Sequence, residues 1–488
     1  MSAHVIVGAG YGGLSTAIVL ARLGLKVTLV EGAARPGGCL RSYSREGVDC
    51  PVGVHYIGSA SPGELLGDFF DVLRIRPALK LRRLGLSGVI DRFVLDDDIF
   101  ELPDTVEKFE ASLTSRFGDA PDAVAFVTDL CRAAMASLRT DGSGALPPSL
   151  PITKTAADVL AEKNLPRRLV DIVALQGFLL GVNLSNCPSS FLMMATASLL
   201  QSAWELGCTG AEMADAMAQQ ALAAGVTIIA GDPVVALDVN DRRARGVRLQ
   251  SGTAIAADSV VASIHPKSVV DMIPAGALPL DYRAGIGALE ETAGSLCAVA
   301  IVDEKRHPAL DHNVYRVHGE PGRSLAGVYA QLRPSGLPGY TRLTVLAESD
   351  YASWAEWHDT QIGRRGPAYR AEKLRRAQQA MNEIATAIGP IHDPRIIDVW
   401  TPLTMRDWTG APRGGTYGAR HSVRDGLGFL VLSRPPLDGL FMVGQSALAP
   451  GLLGVSMGVL RVATAIAGRQ AVRELMGSVR PQRASATP

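Results

Sequence analysis

The 488-residue sequence has few aromatic side chains, no excess of charge and no long hydrophobic run. Aromatic residues make up 5% of the chain, and 48 basic residues balance 48 acidic ones. Balanced charge offers no electrostatic basis for binding nucleic acid. Because no apolar run reaches the roughly 18 residues of a transmembrane helix, none is predicted. We expect a cytoplasmic globular protein, for which peripheral membrane contact remains open.

Cysteine patterns that would mark a metal or redox site are also missing. The six cysteines are scattered singly and form no C-x-x-C pair, so the sequence predicts no zinc site and no redox dithiol. The first residues, MSAHVIVGAG, place no basic stretch ahead of an apolar run, so no secretory signal is predicted. We therefore expect a site without a metal ion, and no feature of the sequence sets an oligomeric state.

The first 31 residues show the pattern of a strand, a helix and a second strand. VIV at residues 5–7 is β-branched, an apolar-periodic helix follows a run of glycines, and KVTLVE is the next strand. This order predicts a βαβ unit in a parallel sheet. Similar strand patterns return in the middle and near the end of the chain. The predicted fold class is therefore α/β, a discontinuous Rossmann-like nucleotide-binding domain with an inserted α+β substrate-binding domain.

Domain boundaries are predicted from the positions of these strand patterns. The nucleotide-binding domain is assigned residues 1–65, 205–270 and 395–475, the substrate-binding domain residues 66–204 and 271–394, and a disordered tail residues 476–488. GSGALPPSLP, at 142–151, is a Gly/Pro linker inside the substrate-binding part. Apolar residues near 190–200 are expected to contribute to a hydrophobic cavity, with Trp204 and Glu205 in its lining.

A glycine loop between the first strand and helix predicts a dinucleotide site. Gly8, Gly10 and Gly13 fit G-x-G-x-x-G, with Gly12 inside the same loop. The glycines allow a tight turn and close approach to a pyrophosphate, and the following helix start favours negative charge. Glu31 ends the second strand about 20 residues later, where a carboxylate can hold ribose hydroxyls. The loop by itself does not distinguish NAD from FAD.

The residues after Glu31 resemble those of a known flavoprotein superfamily. Gly37 and Gly38 form a doublet similar to that of FAD-dependent amine oxidases and phytoene desaturases. The continuation is similar to retinol saturases and carotenoid isomerases at Cys39, Gly47, Gly53, His55, Tyr56, Ile57 and Gly58. The resemblance implies that the acid and the doublet hold FAD. It also implies that Arg41 neutralises the pyrophosphate, although a surface arginine is the competing interpretation.

The C-terminal half carries the same resemblance. Its matching positions are Thr401, Pro402, Thr404, Gly415, Tyr417, Gly418, Gly444 and Gln445. Ser446 stands where the family usually has an aspartate, which puts one FAD contact in doubt. A helix start at Gly454 and Val455 is expected to face the flavin. Val234 or Val235 matches the position where the family contacts the adenine through its backbone.

His55 and Tyr56 are the predicted catalytic pair, because the resemblance places this stretch beside the flavin ring. Either side chain could deliver a proton or orient a substrate. The competing interpretation is a buried pair that is hydrogen-bonded for structural reasons. For Tyr417, packing is the expected role.

The resemblance implies an FAD-dependent oxidoreductase acting on C=C bonds of a hydrophobic polyene or isoprenoid. The reaction could be desaturation, saturation, isomerisation or reductive cyclisation, and the substrate a retinoid, a carotenoid or a natural-product polyene such as a polyketide tetramate precursor. The chain has no second G-x-G-x-x-G, so NADPH or NADH could serve only as a transient reductant. An amine oxidase-type flavoprotein and a non-catalytic flavin-binding scaffold are the alternatives.

Overall fold

The computed structural model describes residues 2–138, 149, 151–180, 182–320, 324–423 and 432–479. Most of the predicted linker at 142–151, and the tail from residue 480 onward, lie outside these ranges. The start of the predicted tail is helical, because the last helix runs to Gly477. A parallel sheet lies beside a larger mixed sheet, which confirms the predicted α/β fold class.

Five parallel strands form the nucleotide-binding sheet. They are β1 Ala3–Val7, β2 Lys26–Glu31, β10 Thr227–Ala230, β14 Ser259–Ala262 and β20 Leu440–Met442. Their order across the sheet is β10-β2-β1-β14-β20, so strands from the beginning, middle and end of the chain are neighbours. The central strands are rich in β-branched residues and largely buried, as parallel strands covered on both faces require.

Helices cover this sheet and meet one another at its edge. They are α1 Tyr11–Arg22, α9 Gly210–Ala223, α10 Pro266–Asp271, α14 Gly451–Ala467 and α15 Arg469–Gly477. α1 packs between α9 and α14. Residues 11–20 of α1 are all buried, so the helix is held firmly in place directly after the glycine loop.

The second layer is a seven-stranded mixed sheet. Its strands are β7 Val89–Val94, β8 Ile99–Pro103, β15 Gly294–Asp303, β16 Asn313–Glu320, β17 Ser324–Pro334, β18 Tyr340–Ser349 and β19 Arg395–Trp400. The order is β19-β15-β18-β17-β16-β7-β8, antiparallel except where β16 meets β7. β19 pairs with β15, so this sheet continues to Trp400, past the boundary expected at residue 395.

The remaining helices mostly surround the larger sheet. They are α2 Leu65–Val72, α3 Arg76–Leu79, α4 Val106–Arg116, α5 Pro121–Leu138, α6 Ala156–Ala161, α7 Arg167–Leu180, α8 Ser189–Gln201, α11 Leu280–Ala288, α12 Gly366–Ile388 and α13 Pro402–Thr409. Thr105 caps α4 by accepting the Lys108 N–H at 3.2 Å. None of the helices in the described ranges is both long and apolar enough to cross a bilayer.

Short strands form three smaller sheets. They are β3 Tyr43–Arg45 with β4 Val48–Cys50, then β5 Ile57–Gly58, β6 Arg82–Arg83 and β9 Ala203–Glu205, and finally β11 Val234–Asn240, β12 Arg243–Leu249 and β13 Ala254–Ala256. A single 3₁₀ turn occurs at Gly38–Leu40, and a 3₁₀ segment with a kink at Trp354 occurs at Tyr351–Trp357. The β5-β9-β6 group lies where the layers meet, and the site is built around it.

Candidate active site

The glycine loop is packed so closely that side chains are excluded from it. A Cβ on Gly13 would lie 1.8 Å from the Gly8 carbonyl oxygen, and one on Gly12 would lie 2.8 Å from Ser263 Oγ. Gly8 has a φ of +91°, which favours glycine. Gly10 is different, because a Cβ there would have no protein atom nearer than 3.8 Å. A Cβ on Gly10 would thus make an ordinary van der Waals contact with Gly38 and would fit the protein.

Glu31 and the glycine doublet close around this loop. The Glu31 carboxylate accepts the Ala9 N–H at 2.7 Å and the Ala33 N–H at 2.8 Å, which holds it beside the glycines. Gly37 donates its N–H to the Ala9 carbonyl at 2.9 Å. Gly38, at a φ of +51°, brings its own backbone against Gly10. The structure therefore brings the acid, the loop and the doublet together, as the sequence predicted for a dinucleotide cradle.

The C-terminal helix meets the same cradle. A Cβ on Gly12 would lie 3.2 Å from the Val455 side chain and 3.4 Å from the Gly444 Cα. The Tyr11 and Ser456 hydroxyls share a 2.7 Å hydrogen bond that joins α1 to α14. Neither helix start has a side-chain cap. Two sets of free backbone N–H groups with the positive end of the helix dipole are thus available for phosphate.

Gln445 and Ser446 contact the protein's own glycine-tyrosine-glycine turn. Ser446 Oγ accepts the Ala419 N–H at 3.0 Å, and the Gln445 carbonyl is bonded to the His421 ring at 2.8 Å. Ser446 is 7% exposed. The serine that replaces the family aspartate therefore fixes the turn, while its hydroxyl hydrogen stays available to a ligand.

Val234, Val235, Gly454 and Arg41 were also predicted to bind the cofactor. Val234 is buried at the start of β11, whereas Val235 points outward with 48% of its surface exposed. Gly454 packs against Ala449, where a Cβ would lie only 2.6 Å away. Arg41 donates to the Trp408 carbonyl at 3.0 Å, which gives it a structural partner. The glycine loop has no room for most side chains, the Glu31 carboxylate is held beside it, and the starts of α1 and α14 have no side-chain cap. These three features together fit a flavin dinucleotide.

A cavity of about 710 Å³ lies beside this cradle, and the start of α14 belongs to its wall. On one side it is lined by Leu448–Gly454 and the turn at Thr416–Tyr417, and on the other by α8 and the large sheet. Its lining is mainly apolar and aromatic, including Phe178, Phe191 and Met194. Such a cavity suits a hydrophobic ligand that lies next to a dinucleotide in the cradle.

His55 and Tyr56 lie in the wall of this cavity, in the loop before β5. Glycines on both sides place that loop. A Cβ on Gly53 would lie 2.3 Å from the Cys39 carbonyl oxygen, and one on Gly58 would lie 2.5 Å from Ser198. Gln331 holds the loop from the sheet side by donating to the His55 carbonyl at 3.1 Å. Residues 53–58 are thus held in place by contacts with Cys39, which follows the doublet, with α8 and with β17.

The His55 ring is kept neutral. Its ring nitrogens are shielded from water, and neither has a hydrogen-bond partner of normal geometry among the described residues. Burial, together with the smaller effects of the Arg342 and Arg333 charges, lowers the pKa of His55 to about 4, and a contribution from Gln331 opposes the shift. The ring packs edge-on against Tyr329, with centroids 5.8 Å apart. At neutral pH the side chain therefore carries no positive charge.

Tyr56 is connected to buried polar groups. Its hydroxyl donates to Asp91 Oδ2 at 2.9 Å and shares a 2.8 Å hydrogen bond with the Tyr315 hydroxyl. Tyr329 and Tyr315 line the same wall, with ring centroids 4.9 Å apart. Tyr417 also lines the cavity, and burial raises its pKa to about 12. The wall is thus a set of neutral phenols around a neutral imidazole.

Sequence reasoning misplaced two residues and missed the phenol wall. Trp204 and Glu205 do not line the cavity. They lie on β9, where Glu205 is paired with the buried Arg333. The missed residues are Asp91, Asn313, Tyr315, Tyr329 and Gln331. An alternating polar face in otherwise apolar strands, such as Tyr329, Gln331 and Arg333 on β17, is the signal that could have revealed them.

Comparisons with known sequences agree with this geometry. Residues 6–73 match the model of an NAD(P)-binding Rossmann-like domain. The chain is 24% identical to an all-trans-retinol 13,14-reductase of Danio rerio, over 95% of this chain and 86% of the relative. It is 26% identical to a hydroxyneurosporene desaturase of Cereibacter sphaeroides, over 97% of each chain.

Solved structures share the two-layer fold. An oxidoreductase from Methanosarcina mazei matches with a TM-score of 0.65 at 14% identity, over 94% of this chain and 99% of that one. A putrescine oxidase bound to putrescine matches with a TM-score of 0.65 at 15% identity, over 97% and 99%. At these identities the structural likeness establishes the fold alone. The sequence relatives extend along almost the whole chain, and the chain is thus related to the retinol saturase and phytoene desaturase type of oxidoreductase, as its sequence predicted.

Proposed function

We propose that the chain is an FAD-dependent oxidoreductase that acts on C=C bonds of a hydrophobic polyene or isoprenoid. The observation that carries this proposal is the 710 Å³ apolar cavity whose wall includes the start of α14, the helix that also contacts the glycine loop. FAD, when bound, supplies hydride exchange at its N5 atom. The protein's part is to hold the cofactor, align the substrate carbon and exclude water.

Residues of the cradle divide these tasks. Glu31 would hold the ribose hydroxyls, and the uncapped starts of α1 and α14 would face the phosphates. Gly10 leaves room for a pyrophosphate beside the loop. His55, Tyr56 and the aromatic wall would orient the substrate, because they face the space next to the cradle.

The substrate class follows from the cavity and from the relatives' names. The names of two relatives refer to retinol and to hydroxyneurosporene, and both molecules are conjugated polyenes. We propose a substrate of that kind, whether retinoid, carotenoid or natural-product polyene. The sequence has one dinucleotide motif, so NADPH or NADH would reduce the flavin only transiently and then leave.

Amine oxidation is the second candidate, because a putrescine oxidase shares the fold and aromatic rings line the cavity. A non-catalytic flavin scaffold would bind the cofactor without turnover. The two alternatives differ in outcome. An amine oxidase would produce peroxide when amines are added in the presence of oxygen. In a scaffold, the bound flavin would exchange hydride with neither amines nor polyenes.

The proposal is tested with protein reconstituted with FAD and held without oxygen. NADPH, NADH or dithionite reduces the flavin, and all-trans-retinol or hydroxyneurosporene is then added to the reduced and to the oxidised protein. We expect a polyene product whose mass differs by two hydrogens, or one of equal mass and altered retention. Failure to bind FAD, or peroxide release with putrescine and no change in any polyene, would contradict the proposal.

Peripheral membrane contact forms a separate part of the proposal, since a polyene dissolves in membranes. Co-sedimentation of the reconstituted protein with phosphatidylcholine vesicles, with and without anionic lipid, measures it directly. Protein that stays in the supernatant with both vesicle types would show that the substrate is taken from solution or from a carrier.

A further inference from the structure

Tyr56 connects the cavity to a fully buried carboxyl group. Asp91 lies on β7 and has no exposed surface. Its Oδ2 accepts the Tyr56 hydroxyl at 2.9 Å, and the Tyr56 oxygen lies 2.8 Å from that of Tyr315. Both phenols line the cavity. An unbroken chain of hydrogen bonds therefore runs from the cavity wall to Asp91.

The immediate partners of Asp91 are neutral. Its Oδ1 accepts the Asn313 side-chain N–H at 2.8 Å from the neighbouring strand β16. From β8 on the other side, Leu102 lies opposite Asp91 and brings no polar group. No cation among the described residues lies within ion-pair distance of Asp91. Burial of an acid without a paired cation favours its protonated form.

The nearest positive charge in this network is already used. Arg333 donates to the Asn313 side-chain oxygen at 2.7 Å, and its guanidinium is paired with Glu205. Burial raises the pKa of Asp91 to about 7, while the hydrogen bonds from Asn313 and Tyr56 and the charge of Arg333 oppose the rise. The carboxyl can thus hold or release a proton near neutral pH.

Packing fixes the two phenols. The Tyr315 ring stacks on Phe93 with centroids 4.6 Å apart and is 4.9 Å from Tyr329. Phe178 meets it edge-on at 6.0 Å. Burial raises the pKa of Tyr56, Tyr315 and Tyr329 well above the usual value for a phenol. The phenols are thus protonated at rest and transfer a proton only together with a partner.

We propose that Asp91, Tyr56 and Tyr315 form a proton relay that serves the C=C bond of a substrate in the cavity. The inference rests on the proposed function and deepens it, because saturation and desaturation each move a proton as well as a hydride. Tyr56 or Tyr315 is the group that meets the substrate, and Asp91 acts through them. His55 faces the same cavity and, being neutral, is not the acid.

In the saturating direction a bound reduced flavin would supply the hydride for one alkene carbon. The other carbon takes the proton from the phenol as the O–H bond breaks, and the Asp91 carboxyl proton moves to the phenolate oxygen. Asp91 ends as a carboxylate and recovers its proton from solvent. In the desaturating direction each transfer is reversed, and the hydride acceptor would be a bound oxidised flavin. A positioned acid or base of this kind contributes about 10²- to 10⁴-fold in rate.

The first test uses flavin-free protein and needs no turnover. Asp91→Asn preserves the shape of the side chain and removes the proton site. Infrared titration of the wild type should show a carboxylic acid carbonyl band that disappears with a midpoint near pH 7. Asp91→Asn should lack this band, whereas Asp68→Asn, which alters a buried carboxyl outside the cavity lining, should keep it.

The second test measures polyene conversion by the FAD-loaded enzyme. Asp91→Asn and Tyr56→Phe should bind FAD normally, lower turnover about 10²-fold and remove the pH dependence near 7. Tyr369→Phe is the matched control. The buried Tyr369 hydroxyl shares a 2.6 Å hydrogen bond with the Thr401 hydroxyl, and Tyr369 does not line the cavity. It should retain the wild-type rate and pH profile.

The outcomes separate the relay from the proposed function. Wild-type protein that binds FAD and converts no polyene contradicts the proposed function. Wild type that converts polyenes while Asp91→Asn is equally fast, with an unchanged pH profile, contradicts the relay alone. A carbonyl band already lost at pH 5, or one that survives in Asp91→Asn, also overturns the relay, whether or not any substrate is turned over.

Discussion

His55 and Tyr56 are adjacent in the chain and have opposite surroundings. The Tyr56 hydroxyl has two hydrogen-bond partners, whereas the His55 ring nitrogens have none of normal geometry among the described residues. A proton donor must be able to recover its proton, which Tyr56 can do through Asp91. His55 has no such route and is held neutral. The structure therefore favours Tyr56 as the acid and His55 as a shape-determining neighbour.

The neutral state of His55 makes stability depend on pH. Its pKa is lowered from 6.5 to about 4, mainly by burial. As pH falls below 6.5 the unfolded chain binds a proton at this histidine, whereas the folded protein does so only near pH 4, so stability is lost across this window. We expect the free energy of unfolding to drop by at most about 1.4 kcal/mol per pH unit over this window. His55→Phe should lack this drop, as measured by urea unfolding of flavin-free protein at several pH values.

Asp91 titrates with the opposite sign, since its raised pKa adds stability as pH falls below about 7. The comparison of wild type with His55→Phe removes this contribution, because Asp91 is present in both proteins. If the two proteins keep a constant difference in unfolding free energy from pH 7 to pH 4, His55 is protonated without cost and the assigned environment is wrong.

Ser446 allows a second test at the level of one residue. Ser446→Ala leaves the buried Ala419 N–H without its acceptor, so we expect a loss of about 1–3 kcal/mol in unfolding free energy. Ser251→Ala is the control, because that hydroxyl bonds exposed neighbours and its removal should change stability by less than about 0.5 kcal/mol. Equal losses in the two variants would show that the Ser446 bond does not hold the turn.

At the scale of elements, the glycines of the β1–α1 turn have two different roles. One allows the strand and the helix to pack closely, and the other allows a ligand to approach the backbone. Gly13 is required by the protein itself, because strand and helix approach too closely for a Cβ. A Cβ on Gly10 would make only an ordinary contact, 3.8 Å from the Gly38 Cα, and the φ of Gly10 is an ordinary −75°. An alanine at Gly10 therefore fits the protein and obstructs only a ligand that approaches the loop.

This difference predicts distinct effects of two alanine substitutions. Gly13→Ala should destabilise the flavin-free protein by about 1–3 kcal/mol, because the helix must move away from the strand. Gly10→Ala should leave its unfolding unchanged and weaken FAD binding at least about tenfold. Urea unfolding and fluorescence titration with FAD measure the two effects. Wild-type FAD affinity in Gly10→Ala would show that the pyrophosphate does not approach this residue.

Elements formed by neighbouring residues could be predicted from the sequence, and those assembled from distant strands could not. The β1–α1–β2 unit follows from local periodicity, and its glycines and Glu31 occupy the expected places. Asp91 and Asn313 are 222 positions apart and meet only because β7 and β16 pair in parallel. No local pattern encodes that pairing, so the polar network behind Tyr56 appears only in the folded chain.

At the scale of the molecule, the active site depends on how the three-stranded β5-β9-β6 sheet is joined to the seven-stranded sheet. β9 pairs with β5, which directly follows His55 and Tyr56, and β17 belongs to the seven-stranded sheet. Glu205 on β9 forms a buried ion pair with Arg333 on β17. This pair is one charged link between the cavity loop and the sheet that carries Tyr315 and Tyr329. Its loss should affect the whole molecule as well as the cavity.

Glu205→Gln is expected to be strongly destabilising. The substitution keeps the shape of the side chain but leaves the Arg333 guanidinium, whose side chain is 3% exposed, without a counter-charge. Removing one partner of a buried pair typically costs about 3–5 kcal/mol. Urea unfolding of the flavin-free protein measures the loss. The double variant with Glu205→Leu and Arg333→Met should recover most of it, because no unpaired charge remains buried.

Glu372→Gln is the matched control for the same chemical change. Glu372 pairs with Arg375 and Arg376 at 2.7 Å on the outer face of α12, and those partners are more exposed. Exposed pairs contribute less than about 1 kcal/mol, so this variant should unfold almost as the wild type does. Similar losses for Glu205→Gln and Glu372→Gln would mean that Arg333 is hydrated in solution. In that case the sheets are joined by apolar packing, and the position of the Tyr56 loop cannot depend on the ion pair.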